Sequence, residues 1–112
     1  MGYRSQVTLA LRPEAAALFT TVRARGGELP ALIEDADTGS HNDGSESYSW
    51  DHVKWYDSYA SINAIERFMD RLDSEDMEDQ YRFIRIGEDD EDTEQRGDGF
   101  EIYVSRSIEW YE

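Results

Sequence analysis

The sequence predicts a single α+β domain, an antiparallel sheet of about four strands with two helices on one face, in the order β-α-β-α-β-β. Three observations support this prediction. Residues 100–110 alternate apolar and polar side chains, and residues 81–86 are β-branched and aromatic, as is typical of strands. Residues 61–72 place apolar side chains at helical spacing. A length of 112 residues fits one domain, 1–112.

The first thirty residues predict one strand followed by one helix. Residues 3–11 alternate in polarity, so they are assigned to a strand. Pro13 suits the first turn of a helix, which is expected to run over residues 14–25. Gly26 and Gly27 are expected to end it.

The middle of the chain is harder to interpret. Residues 29–33 fit either a short strand or a helical turn, and residues 35–47 have the composition of an exposed loop. Residues 48–56 are aromatic enough for a strand. Ser61 is a plausible N-cap of the second helix, which ends near Leu72.

Strands 81–86 and 100–110 are expected to be antiparallel neighbours, because the segment between them is too polar to be core. The strand order cannot be derived from the sequence, and ferredoxin-like topology is one possibility among several.

The composition limits the classes of function. Twenty-six acidic residues against eleven basic ones give a net charge of -15, yet 12% aromatic residues and periodic segments favour a folded protein. There is no cysteine, and therefore no disulfide framework or thiolate metal site. No apolar run is long enough for a membrane span, and no apolar signal core is present near the N-terminus, so we expect a cytoplasmic location, in the host if the protein is phage-encoded.

The charge is distributed unevenly along the chain. Residues 1–30 hold four arginines against two glutamates, a net charge of +2, so the other 82 residues carry -17. Residues 73–98 hold twelve acids against three arginines, a net charge of -9. Such a field repels nucleic acid and anionic membrane and attracts basic surfaces.

Two acidic clusters form the candidate partner-binding site. The first consists of Glu88, Asp89, Asp90, Glu91, Asp92 and Glu94, and the second of Asp73, Glu75, Asp76, Glu78 and Asp79. Extended residues advance about 3.3–3.6 Å each, and one strand of B-DNA carries one charge per roughly 3.4 Å of axis. The run from Glu88 to Asp92 therefore matches the charge density of a nucleic-acid backbone.

Two other interpretations account for the acids without a partner. The acidic connection between the last two predicted strands, residues 88–99, could be a solvated loop that protects a sheet edge from aggregation. The whole chain, with a single lysine at Lys54, could also be adapted to high salt. The second interpretation predicts acids on every exposed face, and the net basic residues 1–30 count against it.

Three site chemistries have weak support. Counting from Asp90, acids fall at positions 1, 3, 5, 9 and 12 of an EF-hand loop, but the sixth position is Gln95, and the flanks are expected to be strands. His41 and His52 belong to no metal-spaced or triad-like pattern. Direct nucleic-acid binding through stacked aromatic rings is opposed by the net charge. The sequence therefore predicts no catalytic residues, no metal and no cofactor. We expect a protein that is not an enzyme.

Four segments carry a family resemblance: residues 2–5, 53–56, 81–88 and 102–106. On these segments the chain resembles a group of small uncharacterised acidic phage and prophage proteins. By size and charge it also resembles phage inhibitors of restriction and CRISPR systems that imitate DNA. That second likeness is one of property, so no residue roles carry over from it.

We therefore expect a DNA-mimicking inhibitor, an anti-CRISPR, that blocks the nucleic-acid-binding groove of a host defence complex. The expected partner is a basic nucleic-acid-binding host protein, most plausibly a CRISPR effector or else a restriction enzyme. The alternative is a phage structural or regulatory accessory protein that contacts a partner through an aromatic sheet face, with Tyr48, Trp50, Tyr56 and Tyr103 as contacts. The oligomeric state is left open.

Overall fold

The computed structural model describes residues 4–25, 27–40, 42–56, 58–88 and 92–100, and the backbone of 102–104 and 108–110. Its elements, in chain order, are β1 (Ser5–Leu11), α1 (Pro13–Arg23), α2 (Leu29–Glu34), β2 (Asp37–Ser40), β3 (Glu46–Val53), α3 (Ala60–Ser74), a 3-10 helix (Glu78–Gln80), β4 (Tyr81–Ile86), β5 (Thr93–Gly97), β6 (Ile102–Val104) and β7 (Ile108–Trp110).

Five of the strands form one antiparallel sheet in the order β2-β3-β1-β4-β5, while β6 and β7 pair with each other. The predicted α+β class is confirmed. The order β1-α1-β2-β3-α3-β4 is the connectivity of the ferredoxin-like β-α-β-β-α-β motif, to which α2 and β5 are added. A fold of this kind hosts many functions, so it does not by itself indicate one.

The main core lies between the sheet and the three helices. β1 contributes Val7, Leu9 and Leu11, which are fully buried, and β4 contributes Tyr81 and Phe83 opposite them. The helices cover these side chains with the apolar stripe of α3 and the inner faces of α1 and α2, formed by Ala15, Phe19, Leu29, Ile33, Ile62, Ile65, Phe68, Met69 and Leu72. The apolar faces of the strands and of the helices therefore pack against each other in one hydrophobic layer.

The neighbour predicted for β4, the stretch 100–110, is wrong. The strand beside it is β5, inside the acidic connection, with Ile84 opposite Gln95 and Arg85 opposite Glu94. The stretch 100–110 is not one strand, because it holds β6 and β7 separated by residues 105–107, which lie outside the described residues. A polar edge strand is held by backbone hydrogen bonds to one neighbour, so its side chains need not alternate.

Two further elements differ from the sequence-based expectation. Residues 29–33 are helical, as part of α2, and β2 lies in the segment expected to be a loop, where it pairs along β3. The second helix predicted from the sequence is α3, which begins at Ala60. Tyr59 occupies its N-cap position without a side-chain cap, so Ser61 does not cap it. The first helix starts at Pro13 as predicted and ends two residues earlier than expected.

The aromatic residues expected on an open sheet face lie in the core. Tyr48 and Trp50 are 3% and 4% exposed. The ring centroids of Phe19 and Tyr48 lie 5.5 Å apart, those of Tyr48 and Trp50 6.5 Å, those of Trp50 and Trp55 5.5 Å, and those of Trp55 and Phe83 5.6 Å. The aromatic contact face is therefore wrong for Tyr48 and Trp50, because helices cover that side of β3.

The other members of that proposed aromatic face are Tyr56, which is half-buried, and Tyr103, whose side chain lies outside the described residues.

The extended backbone of β5 is also not the geometry of an EF-hand loop. Among the helices that the structure describes, none combines the length and the apolar character needed to cross a membrane.

Candidate acidic binding surface

Helix α3 separates its outer charges into two flanks. Side chains three or four residues apart share a helix face, so Glu66, Asp70 and Asp73 lie together, while Arg67 and Arg71 point about a quarter to a third of a turn away from them. The acidic flank faces β5, where all three carboxylates contact Arg96. The basic flank faces α1 and α2 and lines a groove there. Charges that alternate in the sequence are thus separated in space.

Arg96 is the centre of the acidic flank. Its Nη1 donates to Glu66 Oε2 at 3.0 Å, and its Nη2 donates to Asp70 Oδ1 and Asp73 Oδ2, each at 2.8 Å. Trp55 Nε1 donates to the other oxygen of Glu66 at 3.2 Å, and the Tyr81 hydroxyl donates to Asp73 Oδ1 at 2.6 Å. These charge-assisted bonds hold α3 against the edge of the sheet.

Partial burial shifts the pKa of groups in this network. Burial raises the pKa of Glu66, and the hydrogen bond from Trp55 and the charge of Arg96 only partly oppose that rise. Burial also raises the pKa of the Tyr81 hydroxyl, as does its bond to Asp73. Burial alone would lower the pKa of Arg96, but its bonds to Asp73 and Asp70 outweigh that effect and raise it. Arg96 therefore stays charged and neutralises part of the acidic flank.

A second arginine neutralises part of the first acidic cluster. Arg85 Nη2 donates to Asp92 Oδ1 at 2.9 Å, and its Nε donates to Glu94 Oε1 at 3.3 Å. The bond to Asp92, together with the bond to Glu94, raises the pKa of Arg85. Glu88 is exposed and has no ion pair within the described part of the chain. Asp89, Asp90 and Glu91 lie outside the described residues.

The second acidic cluster surrounds the 3-10 helix. Glu75 pairs with Arg71 at 3.1 Å, and Asp73 contacts Arg96. Asp76, Glu78 and Asp79 are exposed, and no cation lies within 4.0 Å of their carboxylates among the residues that the structure describes. These three are the part of the second cluster whose negative charge is uncompensated.

Asp98 joins this end of the molecule. Its backbone N–H donates to Glu78 O at 2.9 Å, and its side chain is exposed. The following N–H, of Gly99, donates to Tyr81 O at 2.9 Å. The return of the chain from β5 therefore places a further carboxylate beside the 3-10 helix.

The structure does not merge the two clusters into one ridge. The 3-10 helix precedes β4, while Glu88 and Asp92 lie in the β4–β5 connection, so the clusters lie at opposite ends of this strand pair. Six strand residues at about 3.3 Å each separate them by roughly 20 Å. Glu94 of the first cluster and the acidic flank of α3, which includes Asp73 of the second, are bound to arginines.

Sequence reasoning did not include Glu66, Asp70 and Asp98 in the site. The helical spacing of Glu66, Asp70 and Asp73 was a usable signal, since it placed all three on the outer face of one helix. The contact to Arg96 had no local signal, because 23 or more residues separate it from each of them. Asp98 is brought in by the turn after β5, which was not predicted.

Comparison of the chain with protein-family models, curated proteins and solved structures found no match.

Proposed function

We propose that this protein is an acidic phage inhibitor that imitates DNA and occupies the nucleic-acid-binding groove of a host defence complex, a CRISPR effector or else a restriction enzyme. The observation that carries the proposal is the group of exposed carboxylates around the 3-10 helix, Asp76, Glu78 and Asp79, which lack a cation within the described chain. Unpaired surface charge is available to lysines and arginines of a partner.

The separation of the clusters supports contact at two points. Roughly 20 Å lies between the 3-10 helix and the β4–β5 connection, which is the axial rise of about six nucleotides of one B-DNA strand. A groove that holds a DNA backbone presents cations over such a distance. The acids bound to Arg85 and Arg96 contribute less, because these arginines already compensate part of their charge.

The uneven charge supports binding over adaptation to high salt. The outer face of α3 is acidic toward β5 and basic toward α1 and α2, where Arg25, Arg67 and Arg71 line one groove. A chain adapted to high salt would carry acids on both flanks. On α3 the acids Glu66, Asp70 and Asp73 are instead confined to the flank toward β5.

DNA displacement tests the proposal. Labelled target duplex is bound to each of a panel of purified guide-loaded CRISPR effectors and restriction endonucleases, and the protein is titrated in at low salt while fluorescence anisotropy is read. We expect at least one effector to release its DNA at stoichiometric protein. Failure of the whole panel to release DNA at saturating protein would contradict the proposal.

Charge-neutral variants identify the contact. Asp76→Asn, Glu78→Gln and Asp79→Asn together remove three charges at the 3-10 helix; exposed ion pairs are worth about 0.2–1 kcal/mol each, so the half-maximal concentration should rise about tenfold. The matched control, Glu28→Gln, Glu34→Gln and Asp37→Asn, removes three exposed charges at the two ends of α2 and on β2 and should change the half-maximal concentration less than twofold. Equal effects of both variants would mean that only net charge matters.

Amide substitutions over residues 88–91 test the second contact point. They should weaken displacement further when combined with the 3-10 variant. Displacement that is unchanged at 0.5 M salt would favour the accessory-protein alternative, because contacts between exposed charges are screened at that ionic strength.

A further inference from the structure

A groove on the basic flank of α3 has a chemistry opposite to that of the rest of the surface. It has a volume of about 420 Å³ and lies between the end of α1, the start of α2 and the outer side of α3. Its apolar lining is made by Val22, Leu29, Ala60, Ala64 and Phe68, and its polar lining by Arg25, Asn63, Arg67 and Arg71. The size is in the range of small-ligand sites.

Helical spacing explains why the polar groups converge. Asn63, Arg67 and Arg71 are four residues apart, so they form one row along α3. Arg25 approaches from beyond the end of α1, where its backbone N–H donates to Val22 O at 3.2 Å. The small side chains of Ala60 and Ala64 line the groove beside this row and leave it open. Phe68 and Leu29, 2% and 3% exposed, form its floor.

The arginines of the groove are only partly compensated. Arg71 pairs with Glu75 at 3.1 Å, and both side chains are about half exposed. Arg25 and Arg67 are exposed and have no carboxylate oxygen within 4.0 Å among the residues that the structure describes. Arg67 and Arg71, four residues apart on one helix, also repel each other slightly. In a chain of net charge -15, two uncompensated guanidiniums beside an apolar floor form a site with a clear charge preference.

We propose that this groove binds a small organic anion, one whose carboxylate, sulfonate or phosphate group is attached to an apolar or aromatic body. The anionic group lies between Arg25 and Arg67, since guanidinium groups bind such oxygens in a two-pronged geometry. The apolar body packs against the accessible side chains of Val22, Ala60 and Ala64, above the floor of Phe68 and Leu29, and buries their apolar surface. This site is separate from the acidic edge, so it does not depend on the proposed inhibition of a defence complex.

The probe for the test is 8-anilinonaphthalene-1-sulfonate, an aromatic sulfonate whose fluorescence rises in apolar surroundings. Its neutral counterpart, N-phenyl-1-naphthylamine, shares the aromatic body and lacks the charge. We expect saturable one-to-one binding of the sulfonate and at least tenfold weaker binding of the neutral compound. The net charge of the protein alone would favour the neutral compound, so equal or stronger binding of it would overturn the proposal.

Two variants and a matched control locate the site. The double variant Arg25→Gln with Arg67→Gln should weaken binding of the sulfonate at least tenfold. Ala64→Leu should fill the groove and so weaken the binding of both the sulfonate and the neutral compound. Lys54→Gln removes a cation outside the groove and should change binding less than twofold. Binding of the sulfonate that is unchanged in the double arginine variant would contradict the assignment.

Two further readouts guard against misfolding and against another occupant. Amide chemical shifts in the wild-type protein should move on titration with the sulfonate at Asn63, Arg67 and Phe68, and not at the 3-10 helix. Shifts spread over the whole chain would overturn the proposal. So would a concentration-dependent dimer that the two arginine substitutions abolish, because a second copy's acidic edge would then be the occupant.

Discussion

Replacing Arg96 with methionine should destabilise the fold by about 3 kcal/mol. Methionine keeps much of the apolar stem but removes the guanidinium that binds Glu66, Asp70 and Asp73. The three carboxylates would then face one another on the outer side of α3 without a cation. Breaking an ion pair by removing one partner costs more when the remaining charge is covered.

The exposed fractions decide the magnitude. The Arg96 side chain is 19% exposed, against 21% for Glu66, 38% for Asp73 and 70% for Asp70. The pair with Asp70 lies mostly in water and should contribute about 0.5 kcal/mol. The bonds to Glu66 and Asp73 are better covered, and each should contribute about 1–1.5 kcal/mol, at the low end for bonds to charged groups. Such a loss lowers the melting temperature of a domain this size by about 10 °C.

The assay is urea unfolding at pH 7 followed by tryptophan fluorescence, with Arg67→Met as the control. Arg67 is exposed and has no ion pair within the described residues, so that change should cost less than about 0.5 kcal/mol. In a double-mutant cycle, Arg96→Met and Glu66→Gln should couple by more than about 1 kcal/mol. If Arg96→Met costs no more than Arg67→Met, Arg96 does not hold α3 against β5.

Three more outcomes follow from the structure. Gly97→Ala should destabilise the fold by about 3 kcal/mol or more in thermal melts, because Gly97 has φ +74° and an added Cβ would lie 2.2 Å from Tyr81 O. Gly27 has a similar φ of +79° but nothing within 4 Å of an added Cβ, so Gly27→Ala should cost only about 1–2 kcal/mol. Equal losses in the two variants would contradict the close approach of Gly97 to Tyr81. Burial raises the pKa of Glu66 above its usual value of 4.5 in the folded protein. Protonation of Glu66 therefore stabilises the fold fully below the unfolded-state pKa, and this contribution is lost as the pH rises through the folded-state pKa. Unfolding free energies from about pH 4 to 7 should shift in favour of Glu66→Gln relative to wild type, and a shift in the opposite direction would refute the raised pKa. If Arg96→Met remains folded, its extra uncompensated acids should make DNA displacement from a susceptible effector more efficient at low salt, and weaker displacement would argue against a contact along the β5 edge.

The sequence was sufficient where burial imposes a period. An alternating pattern revealed β1, a helical apolar stripe revealed α3, and β-branched and aromatic residues revealed β4. β5 has the sequence Thr-Glu-Gln-Arg-Gly, and its side chains meet charged groups or solvent, so no apolar period marks it as a strand. Its place beside β4 comes from backbone pairing, which composition does not encode.

The candidate site divides in the same way. The acidic clusters were visible as composition, and the helical position of Asp73 beside Glu66 and Asp70 followed from spacing. Which acids remain uncompensated depends on the positions of Arg85 in β4 and Arg96 in β5, and these follow from the register of the two strands. The structure partly compensates the acids around these two arginines and leaves Glu88, Asp76, Glu78 and Asp79 without an ion pair among the described residues.

The salt dependence of binding to a susceptible effector shows whether the carboxylates at the 3-10 helix contact the partner. Affinity is measured from 50 to 400 mM salt for the wild type, for the variant lacking the charges of Asp76, Glu78 and Asp79, and for the control lacking those of Glu28, Glu34 and Asp37. If exposed carboxylates at the 3-10 helix replace DNA phosphates, the wild type and the control will share a steep loss of affinity with salt, and the first variant will show a distinctly shallower one. Three identical slopes would show that these acids do not touch the partner.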